Sequence, residues 1–264
     1  MNAAGVVAAL AAEARTLGPT PGRGGTPRRG EGYAMLSGGM LLTVSGIGHA
    51  AAAAAARRLI DAGAGALVSW GLAGGLAPSL EAGAVCLPEE VIGPDGTHYP
   101  TAGEWRETLS RLVAAHRRVG CGSLLTSAAP IATAAAKAAA HRDTGAVAVD
   151  MESSAVAQAA RTHGLPFIAV RAIVDTAADE VPRAVSGASE CGQVRIGRLF
   201  LGLMRSPVDL VPVLRLATRY GTAIGSLRAV AALLEGTSPT SMGPTSMGPT
   251  PAGATLPRAA SRPT

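Results

Sequence analysis

Aromatic residues are scarce in this 264-residue chain: Phe, Trp and Tyr together make up 3 % of it. Glycine is plentiful, at 34 residues, and alanine forms long runs. This composition disfavours an aromatic-rich β-sandwich and favours helices packed closely on a sheet. The length and the 48 % share of hydrophobic residues suffice for one sizeable core.

Cysteine is equally rare, and the three residues Cys86, Cys121 and Cys191 lie far apart. They form no C-x-x-C pair and no Cys/His ligand spacing, so neither a disulfide framework nor a zinc site is indicated. The five histidines also show no metal-ligand spacing. We therefore predict no metal and a reducing, cytoplasmic location.

Long uncharged apolar runs are missing too. No window reaches the roughly 18 residues that a transmembrane helix needs. The N-terminal stretch lacks a basic segment, and Glu13 and Arg15 interrupt its apolar run, so we interpret it as a first strand and helix instead of a signal peptide. The net charge of +5 is a mild excess, and we predict no nucleic-acid partner.

Strand-like and helix-like segments alternate between residues 5 and 175. The predicted strands cover 5–10, 40–45, 66–74, 82–92, 121–127, 146–151 and 166–175, and the predicted helices 46–63, 103–118, 132–145 and 153–164. The strands are continuous apolar runs, which predicts an α/β fold whose sheet is covered by helices on both faces. Ligands of such folds bind beyond the carboxyl ends of the strands. Polar residues and glycines lie there: Glu13, 45–48, 71–75, 150–152 and Asp175.

The composition changes after about residue 190. We predict a catalytic domain over 1–192, a basic amphipathic helical extension over 193–235 with six arginines against two acids, and a disordered tail over 236–264. The tail repeats TSMGP at 240 and 245 and cannot form a core.

Two common catalytic patterns are weak or missing. Gly46, Gly48 and Ala51 match the dinucleotide pattern G-x-G-x-x-A, but the next strand ends without the acid that would bind a ribose. No G-x-S-x-G nucleophile motif occurs. The two glycines still allow the backbone to approach a ligand at a helix N-terminus.

Two carboxylates, Asp150 and Glu152, flank Met151 between apolar segments. One acid could cap the following helix together with Ser153 and Ser154. Glu152 is then unexplained, and residues two apart on a strand share a face, so both acids could point into one cleft. Asp175 has the same two interpretations, as a helix cap or as a functional acid.

Five motifs in order resemble the purine nucleoside phosphorylase superfamily, on the side of the methylthioadenosine/S-adenosylhomocysteine nucleosidases. They are VVAALAAEARTL, SGIG, GLAGGLAPSLEAGAV, AVAVDMESSAVAQAA and RAIVDTAAD, within residues 5–180. Segments reaching to about residue 235 are similar to the hopanoid-associated phosphorylases, thought to cleave adenine from adenosylhopane. The resemblance implies a three-layer α/β sandwich with a mixed sheet, a homodimer and no cofactor, with phosphate as an optional co-substrate.

The resemblance also implies roles for individual residues. Glu152 would bind the ribose hydroxyls and stabilise the sugar cation, with Met151 packing on the sugar. Asp175 would give a proton to N7 of the purine, and Glu13 would activate the attacking water. The remaining residues expected to contact substrate are Ile131, at the purine-stacking position, and the glycines of the two turns, Gly46, Gly48, Gly71 and Gly74.

Three departures from the family pattern bear on the reaction. Leu72 replaces a serine, Val174 replaces the serine before the family aspartate, and no arginine stands beside either glycine turn in the sequence to hold phosphate. Phosphorolysis is therefore disfavoured, although the choice between water and phosphate stays open.

Several substrates and one different class of protein are consistent with the sequence. We expect adenosylhopane as substrate, with methylthioadenosine, S-adenosylhomocysteine or futalosine as alternatives and a non-catalytic nucleoside-binding protein as the other class. For a lipid-linked substrate, the extension with Arg205, Arg215, Arg219 and Arg228 would contact an anionic bilayer at the inner membrane. Alternatively, its helices pack on the core or on a partner subunit.

Overall fold

The computed structural model of the protein describes residues 3–18, 32–180, 189–190, 193–194 and 210–237. A mixed β-sheet lies between two layers of helices, which confirms the predicted α/β fold class. The predicted tail, apart from residues 236–237, lies outside the described residues, as does Arg205.

Strands and helices alternate along most of the chain. The strands are β1 (Ala4–Ala8), β2 (Ala34–Met35), β3 (Leu41–Val44), β4 (Ala66–Gly75), β5 (Val85–Cys86), β6 (Glu90–Ile92), β7 (His98–Pro100), β8 (Val119–Gly120), β9 (Ser123–Thr126), β10 (Ala148–Asp150), β11 (Phe167–Asp175), β12 (Ser189–Glu190) and β13 (Gln193–Val194). The helices are α1 (Ala11–Ala14), α2 (His49–Asp61), α3 (Gly103–Ala114), α4 (Ala134–Thr144), α5 (Ser153–Thr162) and α6 (Leu210–Leu234), with 3₁₀ turns at Arg15–Leu17 and Glu235–Thr237.

Strand β4 is the centre of the sheet that strands β1 to β11 form. It pairs in parallel with β1 on one side and with β11 on the other, and its last two residues, Gly74 and Gly75, pair antiparallel with β10. The sheet extends from these neighbours through β3 and β2, through β5 and β8, and through β9, β6 and β7. The carboxyl ends of β1, β4, β10 and β11 therefore lie close together.

Alternate residues of each central strand face opposite helical layers. Val6 and Ala8 pack in the cluster with α3 and α6, whereas Val7, between them, packs in the cluster with α2 and α5. The same alternation holds along β11, where Ile168 and Val170 face the first cluster. Both faces are thus apolar, which explains why the strands appear as continuous hydrophobic runs.

Some predicted elements differ in the structure. The strand expected over 82–92 is two short strands, β5 and β6, because Pro88 between them has no N–H to donate to a ladder. Strands β7 and β8 were not predicted, since two or three residues are too few to show a periodicity. The extension predicted to be helical from residue 193 begins with β13, which pairs with β12.

Helix α6 packs on the hydrophobic core beside the sheet. Its residues Ala223, Leu227, Val230 and Leu234 are buried at helical spacing, in the same cluster as Leu109 of α3. Arg215 and Arg228 are exposed. From residue 223 to residue 234 the apolar face of α6 is covered by protein, as the packing alternative expects for this part of the extension. Within the described part of the chain, the helices lack the combination of length and apolar character that would let them cross a bilayer.

The packing of α6 predicts the effect of truncating its central leucine. Leu227→Ala should lower the free energy of unfolding by about 2 to 5 kcal/mol, because Leu227 is fully buried. Leu112→Ala on α3 is the matched control, since Leu112 is exposed, and should change it by less than about 0.5 kcal/mol. Urea unfolding followed by circular dichroism measures both, and equal small effects would show that α6 is not part of the core.

Candidate functional site

The three predicted catalytic carboxylates lie at one edge of the sheet. Glu13 is on α1, which follows β1 directly; Glu152 comes two residues after β10; and Asp175 is the last residue of β11. Because β1 and β11 flank β4 and β10 pairs with its end, these positions surround the glycine-rich end of β4. The electrostatic influence of Glu13 also reaches Glu152.

Glu13 is buried and held by the backbone. Its Oε2 accepts a hydrogen bond from Leu10 N at 2.8 Å, and its Oε1 accepts one from Leu72 N at 3.0 Å. Burial raises the pKa of Glu13, while the Arg171 guanidinium and the backbone N–H groups oppose that rise. A Cβ on Gly71 would lie 2.7 Å from Glu13 Oε1, so this carboxylate needs a glycine at that position.

Glu152 meets the turn that starts α2. Its Oε1 accepts a hydrogen bond from Gly48 N at 2.8 Å. Gly48 has φ of 100°, a left-handed conformation that side chains disfavour. Burial raises the pKa of Glu152 to about 7, and the neighbouring Asp150 adds to the rise. The group therefore titrates near neutral pH.

Asp150 pairs with a buried arginine. Arg171 on β11 donates from Nε to Asp150 Oδ2 at 2.8 Å and from Nη2 to the hydroxyls of Ser69 and Ser153, at 2.6 and 2.9 Å. Asp150 also accepts from the backbone N of Ser153 and from the Thr126 hydroxyl. It thus both caps α5 and balances the charge of Arg171.

Arg171 lies beside a glycine turn in the fold, although no arginine is next to either turn in the sequence. It is the register partner of Gly71 across the β4–β11 ladder. Its Nε, Nη1 and Nη2 all donate to protein acceptors, and its side chain is 2 % exposed. Sequence reasoning missed it, although a positive charge within the apolar run of residues 166–174 was the available signal.

Asp175 contacts a buried lysine. Lys137 on α4 donates to Asp175 Oδ2, to Thr176 O at 2.8 Å and to Asp179 O at 3.1 Å, and it is 0 % exposed. Burial raises the pKa of Asp175, and the Lys137 ammonium opposes that rise. A β-bulge between Ile173 and Asp175 places Asp175 opposite Gly74.

Helix α4 brings Lys137 to this position. The helix begins after Thr133, whose hydroxyl accepts from Ala136 N at 3.2 Å, and ends at Gly145 with φ of 71°. Lys137 was missed by sequence reasoning, which assigned this segment only as a helix. The available signal was that it is the one lysine of the chain.

Helix α6 also reaches the site. Arg219 forms an ion pair with Asp179, whose Oδ2 also accepts from the backbone N and the hydroxyl of Thr176. Burial raises the pKa of Asp179, but the hydrogen bonds from Arg219 and Thr176 outweigh it and lower the pKa well below its ordinary value. Tyr220 lies near Glu13: burial and that carboxylate raise its pKa.

The predicted glycines pack against the predicted carboxylates. Gly48 donates to Glu152, Gly71 leaves room for Glu13, and a Cβ on Gly74 would lie 3.4 Å from both carboxylate oxygens of Asp175. Gly46 N donates to Ala9 O at 3.0 Å and so joins the turn to the end of β1.

The other residues expected to bind substrate lie around this edge. Met151 is partly exposed next to Glu152, and Ile131 packs against the small apolar cluster that contains Leu76 and Val149. Among the residues that the structure describes, no group of three or more His, Cys, Asp or Glu side chains is placed to hold a metal ion. The roles of these residues stay predictions.

A family model described as the phosphorylase superfamily matches residues 4–195 of the chain. Comparison with curated proteins gives no match.

Solved structures of nucleosidases share the fold. The 5'-methylthioadenosine/S-adenosylhomocysteine nucleosidase from Neisseria meningitidis, in complex with methylthio-immucillin-A, is 19 % identical, with 89 % of this chain and 99 % of that chain covered and a TM-score of 0.61. The S-adenosylhomocysteine nucleosidase from Streptococcus pyogenes is 21 % identical, with 83 % and 96 % covered and a TM-score of 0.60. The futalosine hydrolase of Helicobacter pylori is 16 % identical, with 88 % and 98 % covered and a TM-score of 0.60.

The contact between Gly71 and Glu13 predicts a double-mutant result. Gly71→Ala should lower the free energy of unfolding by about 1 to 3 kcal/mol, because the new methyl group displaces a carboxylate held by two N–H groups. Gly103→Ala, where a Cβ meets nothing within 4 Å, is the matched control and should not destabilise the protein. In a Glu13→Ala background the Gly71→Ala effect should shrink, and full additivity in urea unfolding would contradict the contact.

The raised pKa of Glu152 predicts a pH dependence of stability. Because the folded-state pKa of about 7 exceeds the ordinary value of 4.5, the folded protein keeps a proton that the unfolded chain loses between these values. This contribution to stability is complete below pH 4.5 and is lost as the pH rises through 7.

The free energy of unfolding of Glu152→Gln, relative to that of the wild type, should therefore be higher at about pH 8 than at about pH 5. The expected difference is about 1.4 kcal/mol for each unit of pKa shift. Glu104→Gln, at an exposed position of α3, should follow the wild type at both pH values. Urea unfolding midpoints measure the difference, and parallel curves for wild type and Glu152→Gln would contradict the raised pKa.

Proposed function

The chain belongs to the phosphorylase superfamily, and from this premise we propose that it cleaves the N-glycosidic bond of an adenosyl substrate and releases adenine. The observation that carries the proposal is the convergence of Glu13, Glu152 and Asp175 around the glycine end of β4. A protein that only binds a nucleoside has no need of three carboxylates in three different electrostatic environments.

The reaction explains why three environments are needed. Breaking an N-glycosidic bond leaves positive charge on the ribose and negative charge on the departing base. Glu152 stabilises the ribose cation and binds its hydroxyls, Asp175 gives a proton to N7 of the purine, and Glu13 takes a proton from the attacking nucleophile. Burial raises the pKa of Asp175, which supports its role as the acid.

Water is the proposed nucleophile. A phosphorylase needs cationic donors free to bind phosphate, and Arg171, the arginine beside Gly71, donates from all three of its nitrogens to protein acceptors. Glu13, held by backbone N–H groups, is suited to accept the proton of a water.

The proposed substrate is adenosylhopane, on the resemblance of residues 5–235 to the hopanoid-associated phosphorylases. The nucleosidases that share the fold favour the alternative of a smaller purine nucleoside: methylthioadenosine, S-adenosylhomocysteine or futalosine. A homodimer, acting in the cytoplasm or at the inner membrane where a lipid-linked substrate would lie, is part of the proposal and rests on the same resemblance.

Release of the purine base from these four substrates, followed chromatographically with and without phosphate, tests the proposal. We expect release without phosphate, and Asp175→Asn should reduce it by about 100-fold or more because the departing base loses its proton donor. Asp61→Asn at the exposed end of α2 is the matched control and should leave the rate unchanged. Release that requires phosphate would overturn hydrolysis, and no release from any substrate would favour the binding protein.

A further inference from the structure

The one lysine of the chain is completely buried. The protein has 23 lysine and arginine residues, and Lys137 is the single lysine among them. Its side chain is 0 % exposed. A buried ammonium is costly unless acceptors surround it, and every other cationic position in the chain is filled by arginine.

The surroundings of Lys137 fit an ammonium group. Nζ has three acceptors: the carboxylate oxygen Oδ2 of Asp175, Thr176 O and Asp179 O. A lysine ammonium has three donors, which these acceptors satisfy. A guanidinium is planar and larger, so an arginine would not fit the same three oxygens without displacing one.

Asp175 is the residue whose carboxylate pairs with Lys137. The carboxylate of Asp179 accepts from Thr176 and pairs with Arg219 of α6, so Lys137 meets only its backbone oxygen. The charged groups that influence Asp175 are therefore Lys137 from α4, Asp179 from the segment after β11, and Arg219 from α6.

We propose that Lys137 is a positioning residue for proton donation by Asp175: its ammonium orients the carboxyl group and offsets the negative charge that Asp175 acquires when the base departs. This inference rests on the proposed function. Lys137 contacts no substrate, because it is buried behind Asp175.

The proton transfers of the reaction leave a negative charge on Asp175, next to Lys137. The C1'–N9 bond breaks and its electron pair goes to the purine, N7 takes the proton of Asp175, and the water oxygen bonds to C1' while its proton goes to Glu13. Asp175 is then an anion next to the Lys137 cation, and Glu13 is neutral. Transfer of the Glu13 proton through solvent to Asp175 restores both groups.

Removal of the cation has two effects of known sign. Without Lys137 the pKa of Asp175 rises, so the carboxyl group stays protonated to higher pH, but it becomes a weaker acid. In Lys137→Met, the alkaline limb of the pH profile of kcat/KM, where activity falls as the pH rises, should move to higher pH by about one unit or more. The plateau of the profile, its maximal kcat/KM, should fall about tenfold or more. A purely structural role would lower the plateau without moving the limb.

Two variants complete the kinetic test. Lys137→Arg keeps a cation and should return the limb toward its wild-type position, although with a lower plateau. Arg228→Met, which removes an exposed cation from α6, should match the wild type. An unmoved limb in an active Lys137→Met enzyme would overturn the role of Lys137, whereas a wild type that releases no adenine would overturn the proposed function instead.

A second measurement needs neither activity nor a folded Lys137→Met variant. Because the chain has one lysine, labelling with [¹³Cε]lysine gives a single Lys137 signal in the NMR spectrum of the full-length protein. This signal should inflect at the pH where Asp175 titrates, and the inflection should be absent in Asp175→Asn. A Lys137 signal that Asp175→Asn leaves unchanged would rule out the contact on which the inference depends.

Discussion

The cost of burying carboxylates governs the construction of this end of the sheet. Glu13, Asp150 and Asp175 are all buried, and each needs donors to compensate for the water it has lost. The compensation differs for each: two backbone N–H groups for Glu13, a guanidinium for Asp150 and an ammonium for Asp175. Burial raises the pKa of both Glu13 and Asp175, and different donors oppose the rise: mainly a guanidinium and backbone N–H groups for Glu13, and an ammonium for Asp175.

The central strand β4 brings these groups together. Its residues 66–70 pair with β1, its residues 67–74 pair with β11, and its last two glycines pair with β10. Glycines at its carboxyl end leave space for the carboxylates of Glu13 and Asp175. The site is therefore assembled from strand ends whose separation is set by backbone hydrogen bonds.

Helix α6 joins the C-terminal region to the same site. Its buried face packs on the core, and its polar positions Arg219 and Tyr220 reach Asp179 and the surroundings of Glu13. The segment after β11 is thus held from two sides, by Lys137 of α4 and by Arg219 of α6. The basic composition of this region serves, at least at Arg219, an internal ion pair.

The sequence by itself determined the α/β class, most of the strands and helices, and the candidate carboxylates, because each depends on local patterns: apolar runs, glycine turns and acids at strand ends. The partners of those carboxylates were decided only by the tertiary structure. Asp150 and Arg171 are 21 residues apart, and Lys137 and Asp175 are 38 apart. The periodicity of a helix shows that it has an apolar face but not what covers that face, so the packing of α6 also needed the folded chain. An unusual charge, such as Arg171 in an apolar run or the one lysine of the chain, marks a residue in its local segment but does not identify its partner, because the two residues meet only when the chain folds.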